Sequence, residues 1–346
     1  MTSVKKDIRA LTKDQLRDFF VAQGDKAFRG NQVYEWLWIR GAHSFTDMTN
    51  IALGTRSLLD RHFVINHIEV DHMQQSNDGT IKNAVRLHDG LIVESVLIPT
   101  ETRTTACVSS QVGCSLDCKF CATARLKRMR NLNPDEIYDQ VVAIDQESRL
   151  YHNRPLSNIV FMGMGEPLMN YKNVIKAIDK ITSKEGLGMS PKRITVSTSG
   201  VPKMIRKLAD DQVKFNLAVS LHSAIEEVRT TIMPFNAHFP LSDLRASLEY
   251  WYAKTKNRIS YEYVVWKDFN DKEKDALALA KFCKYVPSKV NIIEYNPIDD
   301  GIYQQASPEA ITMYISILEA NRIPVTVRRS RGKDIDAACG QLANKT

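Results

Sequence analysis

Apolar positions recur at helical spacing through the first 65 residues: in 11–22, in 32–40 with Val33, Trp36, Leu37 and Trp38, and in 46–62. A small helical unit is predicted there. From 67 to 99 the pattern changes to short apolar runs broken at Asn77-Asp78-Gly79 and Asp89-Gly90, the local signature of tight turns between paired strands. This region reads as an antiparallel β extension. Beyond Pro134, apolar runs at 158–163, 193–198, 215–221, 259–265, 290–295 and 325–328 alternate with amphipathic stretches at 135–150, 171–183, 201–210, 241–255, 272–285 and 308–321. Strand–helix alternation of this kind demands a parallel sheet with right-handed crossovers. With a further strand at 106–110 there are six or seven βα units, short of the eight that close a barrel. The predicted fold class is therefore α/β, a partial (incomplete) parallel β/α barrel, with a doubly wound sheet as the second choice. Three regions follow: 1–65 helical, 66–100 antiparallel β, and 101–346 barrel with a C-terminal segment.

Composition narrows the class. The chain has 346 residues, 43% hydrophobic and 25% charged, as ordinary globular proteins have. Met1 to Lys13 carries Lys5, Lys6, Asp7 and Arg9 with no apolar core, and no apolar run approaches the ~18 residues of a membrane span. The expectation is a cytoplasmic protein with no membrane partner. The net charge of +7 is concentrated in two basic runs: Lys119, Arg125, Lys127, Arg128 and Arg130, then Arg322, Arg328, Arg329, Arg331 and Lys333. Neither run contains an acidic residue, which fits a funnel for phosphates. Tyr34, Trp36 and Trp38 read first as a core stripe and second as a platform for bases.

Six cysteines are too few for a disulfide scaffold, and in a reducing compartment clustered cysteines act as ligands or catalysts. Cys114, Cys118 and Cys121 can fold around one metal centre. A closed zinc site needs four ligands, whereas Cys107 lies too far upstream and the next histidine is His152. Three thiolates suit an iron–sulfur cluster with one open iron. The expected strands end in polar residues, at Ser109-Ser110, Gly165-Glu166-Pro167, Ser197, Ser220-Leu221-His222 and Asn296. Carboxyl ends of parallel strands form the ligand face. Gly165 lets backbone approach a ligand and Glu166 can pair with an ammonium group. For the other strand-end residues capping is an equal reading, and for His222 a satisfied core position. Period-two alternation puts Glu94 on a face with Ile92, Val96 and Ile98, where a carboxylate serves as a general base or a structural ion pair. Cys339 sits between Gly332 and Gly340 on a segment free to move, as a carrier thiol requires. Cys283, at helical spacing with Leu277 and Ala280, reads as core.

The run Cys114-Ser115-Leu116-Asp117-Cys118-Lys119-Phe120-Cys121 resembles the radical S-adenosylmethionine superfamily. More narrowly, Cys107 to Cys114, Phe161-Met162-Gly163-Met164-Gly165-Glu166-Pro167, and Asp334-Ile335-Asp336-Ala337-Ala338-Cys339-Gly340-Gln341-Leu342 resemble the RlmN/Cfr family of RNA adenosine methyltransferases. The resemblance implies a 4Fe-4S cluster held by Cys114, Cys118 and Cys121. It implies two S-adenosylmethionine molecules per turnover, bound by Gly165, Glu166, Ser197, Ser220, Leu221, His222 and Asn296. It implies that Cys339 takes a methyl group from one of them. A 5′-deoxyadenosyl radical from the other then removes hydrogen from that methyl, and the methylene radical adds to adenine. Cys107 would release the product through a transient disulfide with Cys339, and Glu94 would be a proton acceptor. The run 108–112 and the Glu94 context resemble the RlmN branch, which makes 2-methyladenosine in 23S rRNA at the peptidyl transferase centre and in tRNA anticodon loops. The alternative is the Cfr branch, acting on carbon 8. An external one-electron donor such as a flavodoxin, and a monomeric enzyme, are implied as well. Two other readings stay open: a radical enzyme acting on a small molecule or protein, and a non-catalytic metal-stabilised RNA-binding module.

Overall fold

A computed structural model describes residues 5–298 and 301–344, so the outermost ends of the first and last expected regions lie outside the described residues. The helical unit opens with a short strand β1 (Lys6–Asp7), followed by α1 (Lys13–Ala22), α2 (Phe28–Trp38), α3 (Leu53–His62) and β2 (Phe63–Val64). Thr12 and Gln15 close a reciprocal capping box that starts α1. Helix α2 begins four residues earlier than expected. Its Gly30 lies where α1 crosses, and a Cβ there would fall 2.5 Å from the Arg17 backbone nitrogen. A glycine chosen for close approach hides the helix start from propensity. Helix α3 begins later than expected because 45–47 forms its own 3-10 turn, capped by Ser44 and Asp47. Parallel pairing of β1 with β2, absent from the sequence reading, closes the unit.

The antiparallel extension forms as expected: β3 (Glu69–Gln75), β4 (Ile81–Arg86) and β5 (Ile92–Pro99). It is continuous with the barrel, since β5 pairs with the first barrel strand β6 (Thr104–Cys107). That strand ends earlier than expected because Ser109 turns away, its N–H donating 2.9 Å to Gln140 Oε1. Then come β7 (Gln111–Val112), β8 (Arg130–Asn131), α4 (Pro134–His152), β9 (Asn158–Phe161), α5 (Tyr171–Thr182), β10 (Ile194–Thr198), α6 (Pro202–Asp210) and β11 (Asn216–Ser220). The chain continues through α7 (Glu226–Ile232), α8 (Leu241–Thr255), β12 (Ile259–Val264), α9 (Glu273–Cys283), β13 (Ser288–Ile293), α10 (Pro308–Ala320) and β14 (Val325–Arg328). The ten-stranded sheet runs β14-β13-β12-β11-β10-β9-β6-β5-β4-β3, with β6 and β9 to β14 mutually parallel. Among the described residues it does not close, and the partial barrel is observed. Among the described residues no helix is long and apolar enough to cross a membrane.

One apolar core runs from Leu16, Phe20 and Trp38 of the helical unit to Ile159, Val196 and Val290 of the barrel. Tyr34 and Trp38 belong to it, so the core reading of that stripe holds, as it does for Cys283. A buried charge pair pins the two parts together. Both guanidinium nitrogens of Arg9 donate to the Asp139 carboxylate at 2.6 Å, while the guanidinium lies 4.6 Å from the Trp38 ring centre. Removing one partner of such a pair costs about 3–5 kcal/mol, because the other charge is left desolvated.

Asp135 stands beside this pair. Burial pushes its carboxyl up to about 7; Arg9 pulls it back, and Asp7, Asp139 and Glu136 push it further. A free aspartate titrates near 4, so folding takes up a proton between that value and 7. The stabilisation is complete at low pH and is lost as pH rises through the folded value. Asp135→Asn should therefore raise the thermal midpoint more at pH 8 than at pH 5, by several degrees, in melts followed by circular dichroism. A gain that shrinks with rising pH would refute this.

Candidate active site

The carboxyl ends of the parallel strands fold against one another through two sequence motifs. Ser109 Oγ donates to the Glu94 carbonyl at 2.5 Å and accepts the Met164 N–H at 2.8 Å. Gln111 Oε1 accepts the Glu166 N–H at 2.9 Å. Gly165 has φ +94°, and a Cβ there would come within 2.5 Å of the Gln111 side chain, so only glycine fits. These contacts shape one wall of a cavity of about 980 Å³, part of it open to solvent.

Cys114, Cys118 and Cys121 line that cavity together with Cys339, which arrives from the far end of the chain. Gly165, Glu166, Ser197, Ser220, His222 and Asn296 line it too, each at or just beyond a strand end. Burial pushes the Cys114 thiol up to about 11, and raises Cys118 and Cys121 as well. Such thiols become thiolates by binding a cation rather than by losing protons to water. Among the described residues no three His, Cys, Asp or Glu side chains converge tightly enough to hold a single metal ion. Thiolates suit an iron–sulfur cluster, and three of them from one loop around one cavity are the donor set that such a cluster with one open iron takes. Asn296 Oδ1, on a residue of the cavity wall, is buried with no hydrogen-bond partner among the described residues. Such atoms are costly unless a ligand satisfies them.

Glu166 is 3% exposed; Oε2 accepts the Ser199 N–H at 2.8 Å and Oε1 the Leu168 N–H at 3.0 Å. Burial raises its carboxyl, against those bonds and the Thr198 hydroxyl. His222 is buried with φ +57°, and its Nδ1 accepts the Val264 N–H at 3.2 Å. Burial, with Arg229 adding to it, pushes its imidazole down to about 3. It is neutral, with Nε2 carrying the proton, and both readings of His222 hold at once: satisfied in the core and part of the cavity wall.

Several functional side chains escaped the sequence reading. Arg229, on α7, is fully buried and donates to the carbonyls of Leu221 at 3.1 Å and Ser199 at 2.6 Å, and to Asn236 Oδ1. Glu262, 2% exposed, lines the cavity and accepts from Asn291 Nδ2 at 2.7 Å and Arg328 Nη1 at 3.1 Å. Its signal was a lone carboxylate in the apolar strand 259–265. A second apolar cluster of Leu116, Ile232, Met233, Phe235, Trp266, Tyr295 and Tyr303 packs around Cys118. It shields Cys118 from solvent.

Four expectations need correction. Leu221 does not reach the cavity: it is 0% exposed within the main core, and its N–H donates to the Glu262 carbonyl at 3.0 Å. Glu94 does not line the cavity either. It lies 3.4 Å from Lys82 Nζ, and its Oε2 accepts the N–H groups of Ala343 at 2.7 Å and Asn344 at 3.0 Å. The ion-pair reading of Glu94 is the one realised. The Cys339 segment is held rather than loose, with Gly340 accepting from Ala122 N at 2.7 Å and Leu342 from Thr123 Oγ1 at 2.6 Å. Finally, the basic runs are partly neutralised. Lys119 pairs with Asp117, Arg130 with Asp89 and Glu136, Arg328 with Glu262, and Lys333 with Glu294. Cys107 is buried behind the cavity, where burial and neighbouring Cys339 raise its thiol and Arg328 lowers it.

Known proteins share this architecture. A family model described as the ribosomal RNA large subunit methyltransferase N-terminal domain matches residues 6–65. One for the radical SAM superfamily matches residues 108–280. The "Probable dual-specificity RNA methyltransferase RlmN" of Flavobacterium johnsoniae is 78% identical over 341 residues, covering 99% of this chain and 98% of that protein. The "Dual-specificity RNA methyltransferase RlmN" of Geotalea uraniireducens is 42% identical over 342 residues, covering 99% and 97%. The crystal structure of a radical SAM methyltransferase from Sphaerobacter thermophilus superposes with a TM-score of 0.92 at 36% identity, over 98% of this chain and 100% of that one. With relatives matched along nearly their whole length and the same fold beneath the sequence, the chain belongs to the RlmN family of radical S-adenosylmethionine methyltransferases.

Proposed function

We propose that the chain methylates carbon 2 of adenosine in ribosomal and transfer RNA and carries the methyl group on Cys339. One observation carries this reading: Cys339, from the C-terminal segment, shares a cavity with the three thiols of the cysteine loop. Support for RNA as substrate comes from relatives up to 78% identical that bear the name dual-specificity RNA methyltransferase RlmN, and for the same reason the carbon 8 alternative is not favoured. The family's cofactors are a 4Fe-4S cluster and S-adenosylmethionine.

In this reading Cys114, Cys118 and Cys121 hold the cluster. Backbone at Gly165, with Glu166, Ser197, Ser220, His222 and Asn296, holds S-adenosylmethionine. When bound, these groups supply the methyl group and the one-electron chemistry that activates it. Cys339 lines a cavity otherwise walled by protein. Burial raises its pKa and Arg328 lowers it. The net effect raises the thiol, and the guanidinium offsets part of that rise toward the thiolate that accepts a methyl group. Cys107, its buried neighbour, attacks the Cys339 sulfur as a thiolate, so that the disulfide forms while the bond from that sulfur to the transferred carbon breaks and the carbon takes up a proton to become the methyl group. The electron comes from an external one-electron donor of flavodoxin type, and the enzyme works as a monomer in the cytoplasm.

Three outcomes test this. Cys118→Ala should lose the cluster's visible absorbance, with bound iron falling to background; unchanged iron would reject it as a ligand. Cys339→Ala should retain iron and sulfide yet form no methylated RNA, and product above background would refute the carrier. Nucleoside analysis of RNA from a deletion strain should show 2-methyladenosine missing and restored by this chain. Restoration of 8-methyladenosine instead would overturn the assignment of the carbon.

A further inference from the structure

The open seam of the barrel lies between the edge strand β14 and the antiparallel extension, and the segment that follows β14 spans it. That segment is tied at its near end to a turn that does not line the cavity. Ser76 Oγ donates to Asp334 Oδ1 at 2.6 Å, and the Asn77 N–H donates to Asp334 Oδ2 at 3.1 Å. The Gly332 N–H donates to Asp78 Oδ2 at 3.0 Å, and Arg331 Nη1 donates to the Asp78 carbonyl at 3.3 Å. The two chain stretches interlock, each offering a carboxylate to the other's N–H groups.

The turn is built to hold its shape. Asp78 Oδ1 accepts the Thr80 N–H at 2.9 Å, Ser76 Oγ accepts the Asp78 N–H at 3.2 Å, and Gly79 sits at φ +83°. His152, at the end of α4, reaches the Gly79 carbonyl at 3.1 Å and braces the turn against the barrel. On the other side Gly332 has φ +65°, and a Cβ there would lie 2.9 Å from Thr80 Cγ2 and 2.8 Å from Ala337 Cβ, so the contact is close. Burial raises the Asp78 carboxyl, but bonds from Thr80, Gly332 and Ser76 outweigh it and keep the group low. The Ser76 hydroxyl does the same for Asp334. Both carboxylates are thus charged acceptors at neutral pH, the stronger kind.

From this turn the chain makes a 3-10 turn (Lys333–Ile335), buries Ala337 and Ala338, and presents Cys339 to the cavity. The Ala337 N–H returns to the Gly332 carbonyl at 2.9 Å, which transmits the anchor to the thiol. At the far end Glu94 holds Ala343 and Asn344.

We propose that the β3–β4 turn is a docking site for the carrier segment, and that Ser76, Asp78 and Asp334 are positioning residues that set where Cys339 stands relative to the cysteine loop. The inference rests on the carrier role of Cys339 for its meaning in turnover. It touches neither cluster ligands nor the cofactor wall.

The test uses the reconstituted full-length enzyme without RNA, pulsed with iodoacetamide, with modification of the Cys339 peptide followed by mass spectrometry. Core Cys283 serves as the internal standard. Asp334→Ala and Ser76→Ala should each speed Cys339 alkylation, by roughly three- to tenfold for a lost charge-assisted hydrogen bond. Their double variant should gain less than the product of the two, since they remove one contact. Asp334→Asn, which keeps one acceptor oxygen, should fall between. Iron content should stay at the unsubstituted level. In turnover kcat should fall with KM for RNA within twofold, and more 5′-deoxyadenosine should form per methyl group delivered. Unchanged Cys339 alkylation in both single variants, or an equal rise at Cys283, would overturn the proposal. Because alkylation is read without turnover, inactivity of the unsubstituted enzyme toward RNA would count against the proposed function alone.

Discussion

A single buried guanidinium organises the site. Arg229 has no exposed surface, and its nitrogens take up carbonyls at the ends of β10 and β11 together with the Asn236 side chain. Burial pushes it down to about 10, against the opposing pull of Cys118 and Glu226, so it remains a cation at neutral pH. Free strand-end carbonyls would each need a partner in a water-poor interior. One side chain with donors in a fixed fork satisfies them together and sets the spacing of Ser197, Ser220 and His222 around the cavity. Its charge also lies beside the cysteine loop, where thiolates would otherwise face only apolar surroundings.

Around that centre the fold separates two tasks. The parallel strands supply a rigid wall of small polar groups, and the loop 113–129 supplies sulfur. That loop is pinned by Gly113, where a Cβ would meet the Lys127 carbonyl at 2.4 Å, and is closed by the short β7–β8 pair. The antiparallel strands contribute little to the wall, but they carry the acceptors that hold the last residues of the chain. Glu94 shows the division well. A carboxylate in an apolar strand is expensive unless paired, and here Lys82 and two backbone N–H groups compensate it.

What could be read from the chain alone was what depends on neighbours in sequence. The cysteine spacing, the Gly165-Glu166 turn and the apolar runs of the barrel strands are local patterns, and the structure puts them where the patterns pointed. Contacts between distant segments were hidden. Arg130 finds Asp89 across the fold, so a run that looked uncompensated is paired. Helix α7 has seven residues and begins Glu226-Glu227, too short and polar to show a periodic face, so Arg229 went unnoticed. Trp266, Tyr295 and Tyr303 are scattered in sequence, and only the folded chain reveals that they surround Cys118. Leu221 was carried along with its neighbours Ser220 and His222, but strand alternation turns its side chain inward.

The interlock between the β3–β4 turn and Asp334 joins residues about 258 apart in sequence. Contacts of such separation form late, after the loop-closure entropy of everything between them has been met. During synthesis the receiving turn emerges early and waits for a partner made 258 residues later. A chain interrupted before Asp334 can therefore pair its early strands and still lack a working thiol at the cavity.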